Sequence, residues 1–280
     1  MKQPDKKIIF ALDKTDLKSI LLYSKQIGDF VNSDKNIDPN SNLHQIFAIK
    51  IGILTILENG ISIIRKIKEV CPLEIIVDLK LADIPFVAAQ VAQAIQKEGG
   101  DYLVVHCFVG KKVIEAIKEA TPELKIILLS EMTHNNGGYT SKHLEEFSKL
   151  ALDYKVFGII GPGNRVQRIS LIKSKVQNKV NIIAAGVSSE QHGSIDSSIT
   201  AGADYYILGR PIIEELDKIN VGINKLNRKK ICFYFAVYFM IVIISILLNI
   251  LSILPHTYTI SISVGSFLAF LGHYLLILNN

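Results

Sequence analysis

Three charged side chains, Asp78, Lys80 and Asp83, lie within and just after an apolar stretch that ends at Pro85. The stretch is typical of a strand buried on both faces of a parallel sheet, where an unpartnered charge is costly. Because side chains alternate along a strand, Asp78 and Lys80 are predicted to project to the same side. A surface ion pair at a strand end is the alternative interpretation. The spacing favours a cluster arranged for acid–base chemistry.

The elements that must position this cluster lie in residues 1–227, which have the mixed composition of a soluble α/β protein. Apolar, β-branched segments predict strands at 7–12, 47–51, 74–80, 102–106, 125–130, 156–160, 180–184 and 205–208. Amphipathic segments predict helices at 16–31, 54–70, 85–97, 111–120, 141–152, 164–176, 189–201 and 211–224, and a polar insertion occupies 32–44. Eight such units predict a (β/α)8 TIM barrel, with an open doubly wound sheet as the competing fold.

Polar residues recur at the C-terminal ends of the predicted strands, which is the rim where barrels build active sites. They are Asp13, Lys50, Asp78, Lys80, His106, Glu131 and Arg210. This placement favours the barrel over the open sheet. Glycine-bearing turns follow strands seven and eight, at Gly186 and at Gly209-Arg210, and predict a phosphate site. Ordinary strand-to-helix turns are the alternative.

The chemistry follows from the order of charges. Lys50 ends the strand next to Asp78 and Lys80, and neighbouring carboxylates keep lysines in the ammonium form. A charged lysine cannot act as a base, but it can protonate a developing carbanion. A fixed carboxylate beside it repels an anionic substrate group and is relieved when that group departs. These properties predict decarboxylation followed by protonation. No nucleophile–base pair is recognised, and the lysines would repel a metal ion.

These motifs, in this order and spacing over residues 7 to about 220, resemble the orotidine 5′-phosphate decarboxylase family, particularly its short archaeal form. The motifs are Ala11-Leu12-Asp13, Lys50-Ile51-Gly52, Asp78-Leu79-Lys80-Leu81-Ala82-Asp83-Ile84-Pro85, Val105-His106, Glu131-Met132-Thr133-His134, Gly186-Val187 and Gly209-Arg210. The resemblance implies conversion of orotidine 5′-phosphate to UMP without a cofactor or metal. Sugar-phosphate decarboxylases and aldolases of the same superfamily, and an inactive membrane-tethered barrel, are the alternatives.

The resemblance also implies roles for the catalytic residues. Lys80 would protonate C6 of the pyrimidine, and Asp78 would lie against the substrate carboxylate. Lys50 and Asp13 would hold the ribose hydroxyls. Asp83 would reach into the site of the neighbouring subunit, so that a homodimer is required for activity.

The remaining substrate-binding residues are implied in the same way. Thr133 would face the pyrimidine edge. The phosphate would be held by Gly186, Gly209, Arg210 and Gln191, and Ile84 and Ala185 complete the set. The chain departs from the family in three places. Phe86-Val87 replaces an Asn-Thr pair, Ala185 replaces a proline, and Glu190 is an alternative to Gln191.

The end of the chain differs in character, because residues 231–278 contain no Asp, Glu, Lys or Arg. Two transmembrane helices are predicted, at 231–254 and 258–278, within a second region at 228–280. Arg228-Lys229-Lys230 precedes them and predicts that the barrel faces the cytoplasm. The two helices would anchor the barrel to the cytoplasmic membrane. A buried hairpin is the alternative. No nucleic-acid motif is present, and Cys71, Cys107 and Cys232 have neither disulfide nor zinc spacing, which fits a reducing compartment.

Overall fold

Eight parallel strands form a closed barrel in the order of the sequence. A computed structural model of the chain describes residues 7–32, 41–134, 138–188, 192–219, 240 and 243. The strands are β1 (Ile8–Ala11), β2 (Ile46–Gly52), β3 (Glu74–Leu81), β4 (Tyr102–His106), β5 (Lys125–Leu129), β6 (Gly158–Pro162), β7 (Asn181–Ala185) and β8 (Tyr205–Leu208). The predicted TIM barrel is confirmed.

Helices follow the strands on the outside of the barrel, as parallel connections require. They are α1 (Leu17–Asn32), α2 (Ile53–Asn59), α3 (Ile63–Val70), α4 (Pro85–Lys97), α5 (Lys111–Ala120), α6 (Ser141–Asp153), α7 (Val166–Val176) and α8 (Ile195–Thr200). Residues 210–219 are helical after β8, and short 3-10 helices span Asn42–Gln45 and Cys107–Val109. Of the predicted insertion at 32–44, residues 33–40 lie outside the described residues.

Two predicted helices differ from the structure. The single helix expected at 54–70 is two helices, because Gly60 has φ +73° and ends α2 before α3 begins. Of the helix expected at 189–201, residues 189–191 lie outside the described residues, and α8 begins at Ile195, where the Ser194 side chain accepts a hydrogen bond from Ser197 N–H. Gly193 packs so closely on Gly186 that a Cβ there would lie 2.0 Å from the Gly186 carbonyl oxygen. Gly193 therefore packs on the backbone of Gly186 and is not part of α8.

The interior of the barrel is filled by apolar side chains, as its Ile- and Val-rich strands require. A layer of four aromatic rings closes the end where the strands begin, and its members come from the even-numbered strands or directly precede them. They are Phe47, Tyr102, Phe157 and Tyr205. Tyr102 donates a hydrogen bond to Glu74 at 2.7 Å, which satisfies the hydroxyl of this buried ring.

The barrel lies in a unit of the chain that ends at Glu214. The predicted domain boundary at 227, the basic cluster at 228–230, most of the first predicted membrane span and all of the second lie outside the described residues. Within the part of the chain that is described, no helix has the length and apolar character needed to cross a bilayer.

Candidate active site

The cluster predicted from β2 and β3 forms at the C-terminal rim of the barrel. Lys80 Nζ donates to Asp78 Oδ2 at 3.0 Å, and Lys50 Nζ lies 3.2 Å from the same oxygen. Lys50 and Asp78 are buried, whereas the Lys80 side chain is 38% exposed. Asp78 Oδ1 is buried and forms no hydrogen bond with the described residues. One carboxylate oxygen therefore carries two ammonium groups, and the other carries none.

Strand pairing brings these groups together. Lys50 pairs with Ala11 of β1 and Ile76 of β3, and Asp78 pairs with Gly52 of β2. Asp78 therefore lies two residues further along the barrel than Lys50, and the long side chain of Lys50 spans this offset to reach Asp78 Oδ2.

The backbone of β3 is irregular where the chemistry lies. From Val77 to Leu81, β3 advances four residues while β4 advances only two, from Leu103 to Val105. Within this irregularity Lys80 has φ +48°, a left-handed conformation that costs a non-glycine residue about 1–3 kcal/mol. The prediction that Asp78 and Lys80 project together is correct, but the conformation that achieves it is not that of a regular strand.

Lys50 and Asp78 shift each other's pKa toward the charged form. Burial alone would lower the pKa of Lys50, but the carboxylates of Asp78 and Asp13 outweigh burial and raise this pKa. Burial alone would raise the pKa of Asp78, but the ammonium groups of Lys50 and Lys80 outweigh it and lower that pKa. Lys50 and Asp78 therefore remain ionised near neutral pH.

Asp13 extends the cluster from β1, with its Oδ1 at 3.5 Å from Lys50 Nζ. Helix α2 holds the segment that carries Asp13, since the buried Thr55 hydroxyl donates to the Lys14 carbonyl oxygen at 2.9 Å. Asn59 donates to the Thr15 carbonyl oxygen at 2.7 Å. Thr55 and Asn59 thus fix the backbone of the loop that carries Asp13. Neither residue was predicted from the sequence.

A cavity of about 680 Å³ opens above the cluster. Most residues predicted to bind substrate line it, and these are Asp13, Lys50, Asp78, Lys80, Thr133, Ala185, Gly186, Gly209 and Arg210. Asp83 and Ile84 do not line it. Both are exposed, and Asp83 Oδ1 accepts a hydrogen bond from Ile84 N–H at 2.8 Å. Gln191 and its alternative Glu190 lie outside the described residues.

Glycines shape the side of the cavity formed after β7 and β8. Gly186 has φ +74°, and a Cβ at Gly209 would lie 3.2 Å from the Ala11 carbonyl oxygen. Gly163 lies so close to this segment that a Cβ there would lie 2.6 Å from a Val187 methyl group. Backbone N–H groups at such turns can approach an anion closely, and Arg210 adds a forked cation. Gly163 and Gly193 were not predicted, because close backbone approach leaves no local pattern.

This geometry can be compared with known proteins. The sequence model of the "Orotidine 5′-phosphate decarboxylase / HUMPS family" matches residues 6–222. The chain belongs to this family. It is 35% identical to an orotidine 5′-phosphate decarboxylase of Pyrococcus abyssi over 206 residues, which cover 73% of the chain and 90% of the relative.

Solved structures agree with this membership. The orotidine 5′-phosphate decarboxylase of Pyrococcus horikoshii is similar with a TM-score of 0.60 at 34% identity, covering 72% of this chain and 89% of that chain. The orotidine 5′-monophosphate decarboxylase of Methanocaldococcus jannaschii, solved with the inhibitor BMP, has a TM-score of 0.62 at 29% identity. That match covers 74% of this chain and 90% of the other.

The sequence also predicts Glu131 at the rim, but its surroundings differ from those of Asp13 and Asp78. Its side chain is fully buried and paired by both oxygens with Arg168, with Arg165 Nη1 at 3.8 Å. Sequence reasoning missed both arginines. A buried acid at a rim requires a cation, but the cation is 37 residues further along the chain. Distance in sequence hides such a pair.

His106, at the end of β4, is half-buried and outside the lining of the cavity. Its ring packs on Phe108 at 4.7 Å between centroids, and its Nδ1 is buried without a hydrogen bond among the described residues. Burial, together with the nearby ammonium of Lys80, lowers the pKa of His106. The ring of His106 is thus packed against a neighbouring aromatic ring and does not line the cavity.

The described residues contain no group of three or more His, Cys, Asp or Glu side chains placed to bind a metal ion.

Proposed function

We propose that this chain converts orotidine 5′-phosphate to UMP and carbon dioxide. The observation that carries the proposal is the pairing of Lys50 and Lys80 on a single oxygen of the buried Asp78. Family membership supports it, as do curated relatives that carry the name of this activity.

Substrate binding is proposed to span the cavity. The phosphate would bind on the glycine-lined side, against Arg210 and the backbone N–H groups of Gly186 and Gly209. The Asp13 carboxylate would accept hydrogen bonds from the ribose hydroxyls, and the Lys50 ammonium would donate hydrogen bonds to them. Thr133 would then face the pyrimidine from the β5 side. All of these residues line the same cavity.

The reaction breaks the bond between C6 and the carboxylate carbon. Carbon dioxide departs, and the electron pair stays on C6. The Lys80 ammonium donates a proton to that carbon, which gives UMP and a neutral lysine that recovers its proton from water. Lys80 suits this role because it is charged, partly exposed and held at 3.0 Å from Asp78. General acids positioned in this way typically contribute a hundredfold or more to the rate.

Asp78 would act before the proton moves. Its carboxylate is buried and charged, so a substrate carboxylate placed beside it is repelled, and the repulsion ends when carbon dioxide leaves. Its Oδ1 makes no hydrogen bond among the described residues, whereas Oδ2 carries both ammonium groups. Binding energy from the distant phosphate would hold the substrate in this position, which is differential binding of ground state and transition state. The sugar-phosphate alternative is not favoured by any of these contacts.

A homodimer is part of the proposal. Exposed apolar side chains follow β2, β3 and β4 at the same rim, on both sides of Asp83 in sequence. They are Ile53, Leu54, Leu57, Ile84, Phe86 and Phe108. Such a patch marks an association surface, and Asp83 would enter the site of the second copy from it. Phe86-Val87 would add apolar surface where the family has polar residues.

Membrane attachment is proposed from the sequence alone. The charge-free segments at 231–254 and 258–278 are each long enough to span a bilayer, and the basic cluster at 228–230 would keep the barrel on the cytoplasmic side.

The proposal is tested by following the absorbance of orotidine 5′-phosphate with the purified full-length chain. We expect turnover that is unchanged by a chelator, with UMP as the product. Absence of turnover would contradict the decarboxylase proposal, and loss of turnover on chelation would favour the metal-using relatives instead.

A further inference from the structure

We infer that Arg168 is a positioning residue that holds both ends of the β5–α6 connection and thereby sets Thr133 against the pyrimidine. The inference rests on the proposed function, because Thr133 has a role only if a pyrimidine binds there. It concerns the described parts of that connection, residues 131–134 and 138–140.

Arg168 makes three hydrogen bonds to this connection. Its Nε donates to Glu131 Oε2 at 2.6 Å and its Nη2 to Glu131 Oε1 at 2.6 Å. The same Nη2 donates to the Tyr139 carbonyl oxygen at 2.8 Å. One planar guanidinium thus joins the start of the connection to its end. Bidentate pairs of this kind fix orientation as well as distance.

Residues just before α7 hold the positions in between. Arg165 Nη2 donates to the Met132 carbonyl oxygen at 2.9 Å, and Asn164 Nδ2 donates to the Thr133 carbonyl oxygen at 3.2 Å. Residues 131 to 133, which follow Ser130 at the start of the connection, are therefore held one by one. All three also line the cavity.

Helix α7 gives Arg168 a rigid base. Its Ile169, Ile172 and Val176 are buried in the barrel wall. At its far end, Lys173 pairs with both oxygens of Asp204 at 2.9 Å. The packing of α7 therefore fixes the position of Arg168. The hydrogen bonds of Arg168 to Glu131 and Tyr139 then fix the cavity wall relative to this helix.

Glu131 explains why the effect depends on Arg168. Its side chain has no exposed surface, and an uncompensated carboxylate at such a site is strongly disfavoured. Without Arg168 the nearest remaining cation is Arg165 at 3.8 Å. Glu131 would then move toward water and displace Met132 and Thr133 with it.

The phosphate side of the cavity lies on other elements. Gly186 follows β7, and Gly209 and Arg210 follow β8. No hydrogen bond or ion pair of Arg168 reaches these residues within the described structure. Loss of the Arg168 contacts should therefore weaken recognition of the base and spare recognition of the phosphate.

The test compares two ligands, UMP and ribose 5-phosphate, on full-length variants. Arg168→Gln should weaken UMP binding by about tenfold or more, the scale of a small misplacement, and change ribose 5-phosphate binding by less than about twofold. Arg168→Lys keeps the charge beside Glu131 but cannot make the three bonds. It should show a smaller loss with the same selectivity, and it tests the inference if Arg168→Gln does not fold.

Lys175→Gln, on the same helix, is the matched control, because it breaks the exposed ion pair of Lys175 with Glu145, outside the lining of the cavity. It should leave the ratio of the two affinities unchanged. Thr133→Ala should lower kcat/KM. Adding Arg168→Lys to it should lower kcat/KM little further, because both changes remove the same contribution, the contact of Thr133 with the pyrimidine. A folded Arg168→Lys variant that binds both ligands as wild type does, or loses both equally, would overturn the inference.

A second measurement separates this inference from the proposed function. If the wild-type chain fails to bind UMP, the proposed function fails. Hydrogen exchange at residues 131–134 then judges Arg168 alone. Faster exchange there in Arg168→Lys than in Lys175→Gln supports the holding role, and equal exchange rules it out.

Discussion

Lys80 Nζ lies 3.0 Å from Asp78 Oδ2 although the backbone of Lys80 has φ +48°, in the left-handed region. Strain at a residue that carries chemistry persists when the surrounding structure determines the conformation. Here the register shift between β3 and β4 coincides with the left-handed backbone at Lys80, and the contact with Asp78 fixes the Lys80 side chain. The position of the proposed proton donor is thus built into the strand itself.

Replacing Lys80 tests the proposed proton donor. Lys80→Ala should lower the decarboxylation rate by at least about a thousandfold, at or above the usual contribution of a general acid. The fold should persist, because the side chain lies at the rim and is 38% exposed. Rates are measured by absorbance and folding by circular dichroism. Lys118→Ala, at an exposed position of α5, is the control. A Lys80→Ala rate within tenfold of wild type would contradict the assignment.

Arg210 tests the phosphate side of the cavity. Arg210→Ala should weaken UMP binding by about 2 kcal/mol, the scale of a hydrogen-bonded charge pair. Calorimetry with UMP measures this loss. Arg65→Ala, at an exposed position of α3, serves as a matched control and should bind UMP as wild type does. Unchanged affinity in Arg210→Ala would show that the phosphate binds elsewhere.

The protonation of His106 should appear in the stability of the protein. Its pKa is lowered in the folded state by burial and by Lys80, so the unfolded chain binds the proton more readily. As the pH falls below about 6.5, the unfolded state gains protons first and the free energy of unfolding decreases. Above that range neither state is protonated and the contribution vanishes.

His106→Gln should remove this part of the pH dependence. Denaturant unfolding between pH 8 and pH 5 should give a flatter profile for the variant than for wild type. Parallel profiles would mean that the folded and unfolded states protonate His106 alike.

The sequence predicts the barrel well because burial on both faces leaves a plain signal in each strand. It also places Lys50, Asp78 and Lys80 correctly, since strand ends share one rim. It cannot show the slip at Lys80, because alternation assumes a regular strand. It cannot pair Glu131 with Arg168 either, because that contact depends on how α7 packs. Gly60 ends α2 inside a segment whose apolar periodicity continues across the break.

Subunit mixing tests the proposed role of Asp83. If Asp83 completes the partner's site, Lys80→Ala mixed with Asp83→Ala should regain activity, because one site of each hybrid carries neither change. Random exchange in a dimer would restore about a quarter of the wild-type sites. Lys80→Ala mixed with Asp78→Ala is the control, since both residues belong to one subunit's cluster. No recovery in the first mixture, with exchange verified by mass, would contradict a shared site.

The last prediction concerns the charge-free end of the chain. Residues 231–254 and 258–278 should insert as a helical hairpin with both ends cytoplasmic, because Arg228, Lys229 and Lys230 precede the first segment. Full-length protein should therefore resist carbonate extraction. Val242→Arg with Ile243→Arg should release it, since each arginine at the centre of the first span costs about 2.5–3.5 kcal/mol of insertion. Truncation after residue 227 should leave an active barrel in the soluble fraction. Carbonate release of the wild type, or loss of folding on truncation, would make the tail part of a globular core.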